Sequence, residues 1–167
     1  MTSPAMKSVF VVMGVAGCGK TTIGLALADH LGCAFYDGDD YHPEANIAKM
    51  SAGMPLNDDD RVPWLAILAG LLQQHLEREE AAVLACSALK ESYRDILRVS
   101  DQVKFIFLDG DFDLIWGRME ARQDHYMKPE MLRSQFADLE RLSAEEALHV
   151  PIDAPVDEIL GQILQEI

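Results

Sequence analysis

The stretch VFVVMGVAGCGKTT, residues 9–22, constrains this chain more than any other. Residues 8–13 form a continuous apolar run rich in β-branched side chains, which reads as a short buried parallel strand. The run leads straight into Gly14-Val15-Ala16-Gly17-Cys18-Gly19-Lys20-Thr21, a match to G-x-x-x-x-G-K-[ST]. After it, TTIGLALADHLG has helical spacing, with Ile23, Leu27 and Leu31 on one face and Gly32 placed as a C-cap. A strand, a glycine-rich turn and a helix in this order make a phosphate-binding loop. The glycines let the backbone wrap closely around phosphate oxygens. Loop N–H groups and the helix dipole supply positive potential. Lys20 is placed to reach the β and γ phosphates, and the Thr21 hydroxyl to ligate Mg²⁺. A chance glycine-rich turn would not need the flanking strand and helix. Cys18 reads as a tolerated small residue of the loop. The competing reading is a redox switch, because a helix N-terminus lowers a thiol pKa.

The rest of the chain alternates strand and helix patterns. CAFY, AAVLAC, VKFIFLDG and HVPIDA read as strands. Helices are expected at PEANIAKMSAG, DDDRVPWLAILAGLLQQHLERE, ALKESYRDILRV, DFDLIWGRMEAR, EMLRSQFADLERL and VDEILGQILQEI. Trp64, Leu68 and the Leu, Ile and Met stripes belong to the core. This alternation implies a three-layer α/β fold, a parallel sheet flanked by helices, in one domain over residues 1–167. The polar interruption QDHYMKP reads as a mobile lid within that domain, at about residues 122–131.

The formal net charge is −14, which disfavours nucleic acid and anionic membranes as partners. No apolar run is long enough to span a bilayer. MTSPAMK lacks the layout of a signal peptide. Three cysteines without paired spacing fit a reduced, cytoplasmic setting. An anionic substrate would need a local cluster of Lys, Arg and backbone N–H groups to overcome the global field.

A phosphate loop binds a nucleotide but does not specify the reaction. The Asn-Lys-x-Asp motif of a GTPase is absent, and a motor ATPase needs a longer chain. A small nucleotide-dependent kinase remains. Phosphoryl transfer to an alcohol needs Mg²⁺ and a base or positioning group at the hydroxyl. The third strand ends in LACSALK and carries no acid there. Asp37 and Asp39 follow the second strand, and strand C-termini gather at the ligand crevice of an open parallel sheet. If the chain stays extended, both carboxylates point the same way, one toward the metal and the other toward the substrate hydroxyl. The alternatives are a solvated acidic turn, or Asp109 at the end of FIFLDGD as the metal-side acid.

Together, GVAGCGKTT, DGDDYHP, NIAKMSAGMPLNDDDRVPWL, CSALKESYRDILR and RMEARQDHYMKPEMLRSQFADLE resemble the bacterial-type gluconokinases. These are P-loop kinases related to shikimate kinases and nucleoside monophosphate kinases. The resemblance covers nearly the whole chain. It implies an enzyme that phosphorylates D-gluconate at the 6-hydroxyl with ATP and Mg²⁺, works in the cytoplasm and forms a homodimer. It implies that Gly14, Val15, Ala16, Gly17, Cys18, Gly19, Lys20, Thr21 and Thr22 bind the nucleotide and its metal. Asp39 takes or orients the hydroxyl proton, with Asp37 nearer the metal. His42, Lys49 and Arg61 match substrate-side positions, and Arg61 offers a guanidinium fork to the carboxylate. Its competing reading is an ion pair with Asp58 to Asp60. Lys90 and Arg94, four apart, are expected on one helix face toward the same anion; the alternative is a solvated face. Arg118 is implied beside the adenine, and Arg122 closes on the phosphates to stabilise transition-state charge and exclude water. His125 is implied in the lid, the competing reading being an ordinary surface histidine, and Pro155 is implied at the border of the adenine by analogy with the fold. The family pattern reaches a proline soon after SQF-x-x-LE; here ERLSAEE stands instead. The rival readings are a kinase for shikimate or a nucleoside monophosphate, and a regulatory nucleotide-binding module that signals through its lid.

Overall fold

The first strand, β1 (Val9–Met13), is buried along its whole length. It can be all apolar because both of its faces are covered. Phe10 and Val12 pack with Ile23, Leu27, Ile115, Ile159 and Ile163. Val9, Val11 and Met13 pack with Trp64, Leu65, Leu68, Leu72 and Leu97 on the other face. The alternation along one strand thus divides the core into two layers, with helices on each side of a sheet.

The computed structural model describes residues 7–121 and 129–167. Along the chain run β1, α1 (Lys20–Leu31), β2 (Ala34–Asp37), a 3-10 turn (Gly38–Tyr41), α2 (Glu44–Ser51) and α3 (Asp58–Glu77). Then come β3 (Ala82–Ala85), α4 (Glu91–Leu97), β4 (Val103–Asp109), α5 (Phe112–Ala121), α6 (Pro129–Asp138), β5 (Ala147–Pro151) and α7 (Val156–Glu166). The strand order is β2-β3-β1-β4-β5, and every neighbouring pair is parallel. β1 lies between β3 and β4: the chain passes from β1 to β2 at one edge, returns to β3, and then crosses β1 to β4 and on to the other edge. A crevice opens at the C-terminal ends of the strands at such a reversal. The three-layer α/β architecture is the one the alternation implies.

Local chemistry explains the element ends near that crevice. Gly32 caps α1 in the left-handed conformation, φ 67°, as its position in ADHLG suggests. α3 begins with a capping box: the Asn57 side chain accepts from Asp60 N–H, and the Asp60 carboxylate accepts from Asn57 N–H. Three acids in its first turn complement the helix dipole. Two helices are shorter than expected. α4 starts at Glu91, because Ala88 sits at φ 46° and Lys90 is the extended N-cap. α6 stops at Asp138, and the following chain turns in to bond through Glu140 N–H to the Leu89 carbonyl. The expected lid, with Arg122 and His125, falls largely outside the described residues.

Candidate active site

The loop between β1 and α1 is shaped by what packs beneath it. A Cβ on Gly17, at φ 80°, would lie 2.8 Å from the Met119 side chain of α5. Gly19 is the N-cap of α1 at φ 97° and offers no capping side chain, so the first-turn N–H groups keep no side-chain acceptor. The Lys20 ammonium donates to the Gly14 and Val15 carbonyls, both at 3.1 Å, and so lies over the loop. Thr21 and Thr22 stand exposed in the first turn. Cys18 is 2% exposed, and burial pushes its thiol pKa up despite Lys20 beside it. Desolvation outweighs the helix terminus here, which removes the basis for a thiolate redox switch.

Asp37 ends β2, and the chain does not continue extended. Asp37 Oδ1 accepts from the Asp39 N–H at 3.0 Å, and the chain curls into the 3-10 turn. The expected alternation of two carboxylates on an extended strand is therefore replaced by an Asx turn. The acids still come together. Although Asp39 is exposed, the protein mass around it raises its pKa, and the Asp37 charge raises it further. Lys20 and His42 pull it the other way. A solvated acidic turn would not lie within the field of the loop lysine. Asp109, the rival acid, ends β4 and faces Arg141 at 3.5 Å.

His42 links this phosphate end to a basic cluster. Its ring stacks on Trp64 at 4.3 Å, and Trp64 Nε1 donates to the Gly38 carbonyl at 2.8 Å. Buried Asn46 places its amide nitrogen 3.2 Å from His42 Nδ1 and 3.0 Å from the Asp60 carbonyl. The amide donates to both, so Nδ1 accepts and the ring proton sits on Nε2. Burial lowers the His42 pKa, Asp39 opposes this, and Arg61 adds to it. His42 is thus neutral near pH 7 and lies within reach of both Asp39 and Arg61.

Lys49, Arg61 and Lys90 meet around the start of α3. Lys49 pairs with Asp60 at 2.7 Å, and Lys90 with Asp58 at 3.0 Å. Arg61 pairs with neither acid at salt-bridge distance among the described residues. Its Nη1 donates instead to the Tyr93 hydroxyl at 3.0 Å, and its guanidinium lies 5.4 Å from the Tyr93 ring centroid. The Tyr93 hydroxyl donates to Asp58 at 2.5 Å. Hydrogen bonds and lysines hold the Asp58 and Asp60 carboxyls below their ordinary range.

Arg94 departs from expectation. It is 1% exposed, and it donates to the carbonyls of Ala88, Leu89 and Glu140 at 2.8 to 3.0 Å. It does not share an exposed face with Lys90, because Lys90 precedes the helix. Its guanidinium ties the loop after β3 to the chain after α6. On the far side of the crevice, Arg118 donates to the Ile152 carbonyl, and Pro155 is the N-cap of α7 three residues on. This brings Arg118 and the 152–155 segment together, as an adenine-side pair would require.

Four contributors escaped the sequence reading. Tyr93, Asn46 and Trp64 act through hydrogen bonds and stacking that depend on tertiary placement. Gln135 of α6 accepts from the Ala16 N–H at 2.7 Å and fastens the helix after the expected lid to the phosphate loop. Its only sequence signal is a polar residue among the apolar ones of MLRSQF.

Comparison with known proteins identifies the family. The family model described as shikimate kinase matches residues 16–167. A thermosensitive gluconokinase of Escherichia coli is 48% identical, over 86% of this chain and 78% of its own. A probable gluconokinase of Rattus norvegicus is 44% identical, over 94% and 96%. The crystal structure of a gluconokinase from Sinorhizobium meliloti superposes with a TM-score of 0.87 at 40% identity, covering 96% of this chain and 91% of that one. The match to the shikimate kinase model gives the wider group, and the relatives above 40% identity give the branch: this chain belongs to the gluconokinase family of P-loop kinases.

Proposed function

We propose that the protein transfers the γ-phosphoryl group of ATP to the 6-hydroxyl of D-gluconate, giving 6-phospho-D-gluconate and ADP. The observation that carries this reading is a polar path of charges that act on one another. Asp39 lies in the fields of Lys20 on the phosphate loop and of His42, His42 in those of Asp39 and Arg61, and Lys49 and Lys90 pair with acids beside Arg61 at the start of α3. One end suits a polyphosphate and the other a carboxylate, with a base between them.

In this reading the backbone of Gly14 to Thr22 cradles the phosphates, and Lys20 leaves its two carbonyls for phosphate oxygens. Arg118 and Pro155 flank the adenine. The Thr21 hydroxyl and the Asp37 carboxylate are hard oxygen ligands, a donor set suited to Mg²⁺, which keeps most of its shell for water and phosphate. A Mg²⁺ ion held by Thr21 and Asp37 would neutralise phosphate charge. Asp39 accepts the 6-hydroxyl proton as the oxygen attacks phosphorus. Its raised pKa makes it a stronger base than an ordinary aspartate, and the charge of Lys20 favours its ionised form. Arg61 receives the gluconate carboxylate, and Lys49, Lys90 and His42 line the acceptor. Arg122 closes over the transferring group. Arg94 supports the acceptor wall from beneath. Among the described residues no helix is long and apolar enough to cross a membrane, and we assign the enzyme to the cytoplasm as a homodimer, which sedimentation would check.

The test is Mg²⁺-dependent ADP release from ATP with gluconate, shikimate, a nucleoside monophosphate panel or no acceptor. Stimulation by gluconate alone is expected. Stimulation by another acceptor would reassign the substrate, and no stimulation despite tight ATP binding would favour a regulatory module.

A further inference from the structure

Arg61 sits at the acceptor end of the path, yet no carboxylate among the described residues holds it at ion-pair distance. What holds it is Tyr93. The Tyr93 side chain is 5% exposed and belongs to the core layer beneath α3 and α4. Only its hydroxyl emerges among charges. That hydroxyl has one proton and two lone pairs. The proton goes to Asp58 Oδ1 at 2.5 Å. A lone pair is therefore free to accept from Arg61 Nη1 at 3.0 Å. Asp58 is itself fixed, because Lys90 Nζ lies 3.0 Å from the same oxygen. The polarity of the relay is thus set from one end to the other: Lys90 to Asp58, Asp58 to the Tyr93 proton, and the Tyr93 oxygen to Arg61. The Tyr93 ring adds a face to both cations, with Arg61 5.4 Å and Lys90 5.7 Å from its centroid.

A long guanidinium side chain loses much rotamer freedom when it binds a carboxylate. A donor already held in place loses less. One N–H of Nη1 is spent on Tyr93; Nη2 and Nε keep their protons for a second, planar partner. We propose that Tyr93 is the positioning residue for Arg61: its hydroxyl, oriented by Asp58, aims the guanidinium fork at the carboxylate of the sugar acid. This rests on the reading of Arg61 given above. It makes acceptor recognition a property of three elements at once, because Asp58 and Arg61 lie on α3, Tyr93 on α4 and Lys90 at the cap between β3 and α4. A rigid fork favours a planar anion at a fixed distance from the reacting hydroxyl. Tyr93 therefore contributes to discrimination between gluconate and neutral sugars or alditols of the same length, which offer no anion to a fork held ready.

The test is Tyr93→Phe, which keeps the ring, its packing and both cation contacts and deletes only the hydroxyl. Asp58 retains Lys90, so no buried charge is stranded. Arg61→Ala and the double variant complete a cycle. Steady-state kinetics, calorimetric gluconate binding and thermal melting are read on all four proteins. The expected result is a gluconate KM and Kd raised roughly tenfold in Tyr93→Phe, the scale of one hydrogen bond to a charged group. The KM for ATP and the kcat at saturating gluconate stay within about twofold of the parent. In the Arg61→Ala background, Tyr93→Phe adds little more. A raised gluconate KM in Arg61→Ala with none in Tyr93→Phe would overturn the positioning role and leave Arg61 in the site. An unchanged gluconate KM in Arg61→Ala would remove Arg61 itself and the proposal with it. Equal losses in gluconate KM, ATP KM and melting temperature in Tyr93→Phe would make the hydroxyl a structural group and also overturn it. So would full additivity in the double variant.

Discussion

Asp39 carries opposite demands on activity and stability. Its pKa is raised in the folded protein, first by the surrounding protein mass and then by Asp37. Between the ordinary carboxylate value, about 3.9, and the raised one, the folded state binds more protons than the unfolded. Stability therefore falls as pH rises through that window, and the deficit persists at neutral pH. Asp39→Asn removes the deficit. It is expected to raise the melting temperature at pH 7 while lowering kcat by roughly a hundredfold or more, with ATP affinity within a few fold. Melting curves and turnover on the same preparation check both signs. Loss of turnover without any gain in melting temperature would argue against a desolvated, like-charged pair. The acid limb of the parent's kcat/KM profile is expected above the range of an ordinary aspartate. Asp37→Asn would move it down if that variant retained measurable turnover.

At the scale of elements, α3 is the hinge of the acceptor site, because its first turn holds Asp58, Asp60 and Arg61 together. The Asn57 cap fixes where that turn begins. Asp60 Oδ2 accepts from both the Asn57 N–H and Lys49 Nζ, so the cap and the lysine share one oxygen. Asn57→Ala is expected to cost about 1 kcal/mol of stability, seen in urea unfolding. It should also raise the gluconate KM more than the ATP KM. Equal effects on both substrates would separate the cap from the site. The elements themselves were legible in the sequence wherever one period ran uninterrupted. β1 and α1 could be read because apolar residues gave way to a glycine turn and then to helical spacing. The start of α4 could not, because ALKESYRDILRV has helical spacing from its first residue while Ala88 and Lys90 are drawn out of the helix by tertiary contacts. The same contacts bury Arg94. A buried arginine that donates to three carbonyls looks, in one dimension, like any other charge on a helix surface.

For the molecule as a whole, charge is unevenly used. Twenty-eight acidic side chains face fourteen Lys and Arg. In the proposed site Lys20, Lys49, Arg61 and Lys90 serve one crevice, and Arg94 is buried. The remaining surface is therefore strongly anionic, and its self-repulsion opposes compaction. Adding salt up to about 0.15 M, where the Debye length is roughly 8 Å, is expected to raise the melting temperature. A fall would mean that the Lys49–Asp60 and Lys90–Asp58 pairs outweigh the general repulsion. The composition made the excess readable; which cations gather in the crevice depended on the fold. The phosphate loop was readable because its chemistry lies in consecutive residues. Resemblance named Arg61, Lys49 and Lys90 for the proposed acceptor site, while Tyr93 and Asn46 beside them, and Gln135 beneath the phosphate loop, were silent because their roles arise from tertiary contacts.

The place of β1 in the sheet has a consequence for how the protein comes off the ribosome. Among the described strands β1 is the earliest in the sequence and the central one, and its two neighbours come much later: Val9 pairs with Ala82 on one side and with Val103 on the other. At translation rates of about 5–20 residues per second, seconds pass before either edge of β1 is covered. The loop after it rests on Met119 of α5 and Gln135 of α6, later still. A nascent chain carrying the whole G-x-x-x-x-G-K-T sequence is therefore not yet a nucleotide-binding protein. Competence waits on those later elements, which close the sheet around residues made before them.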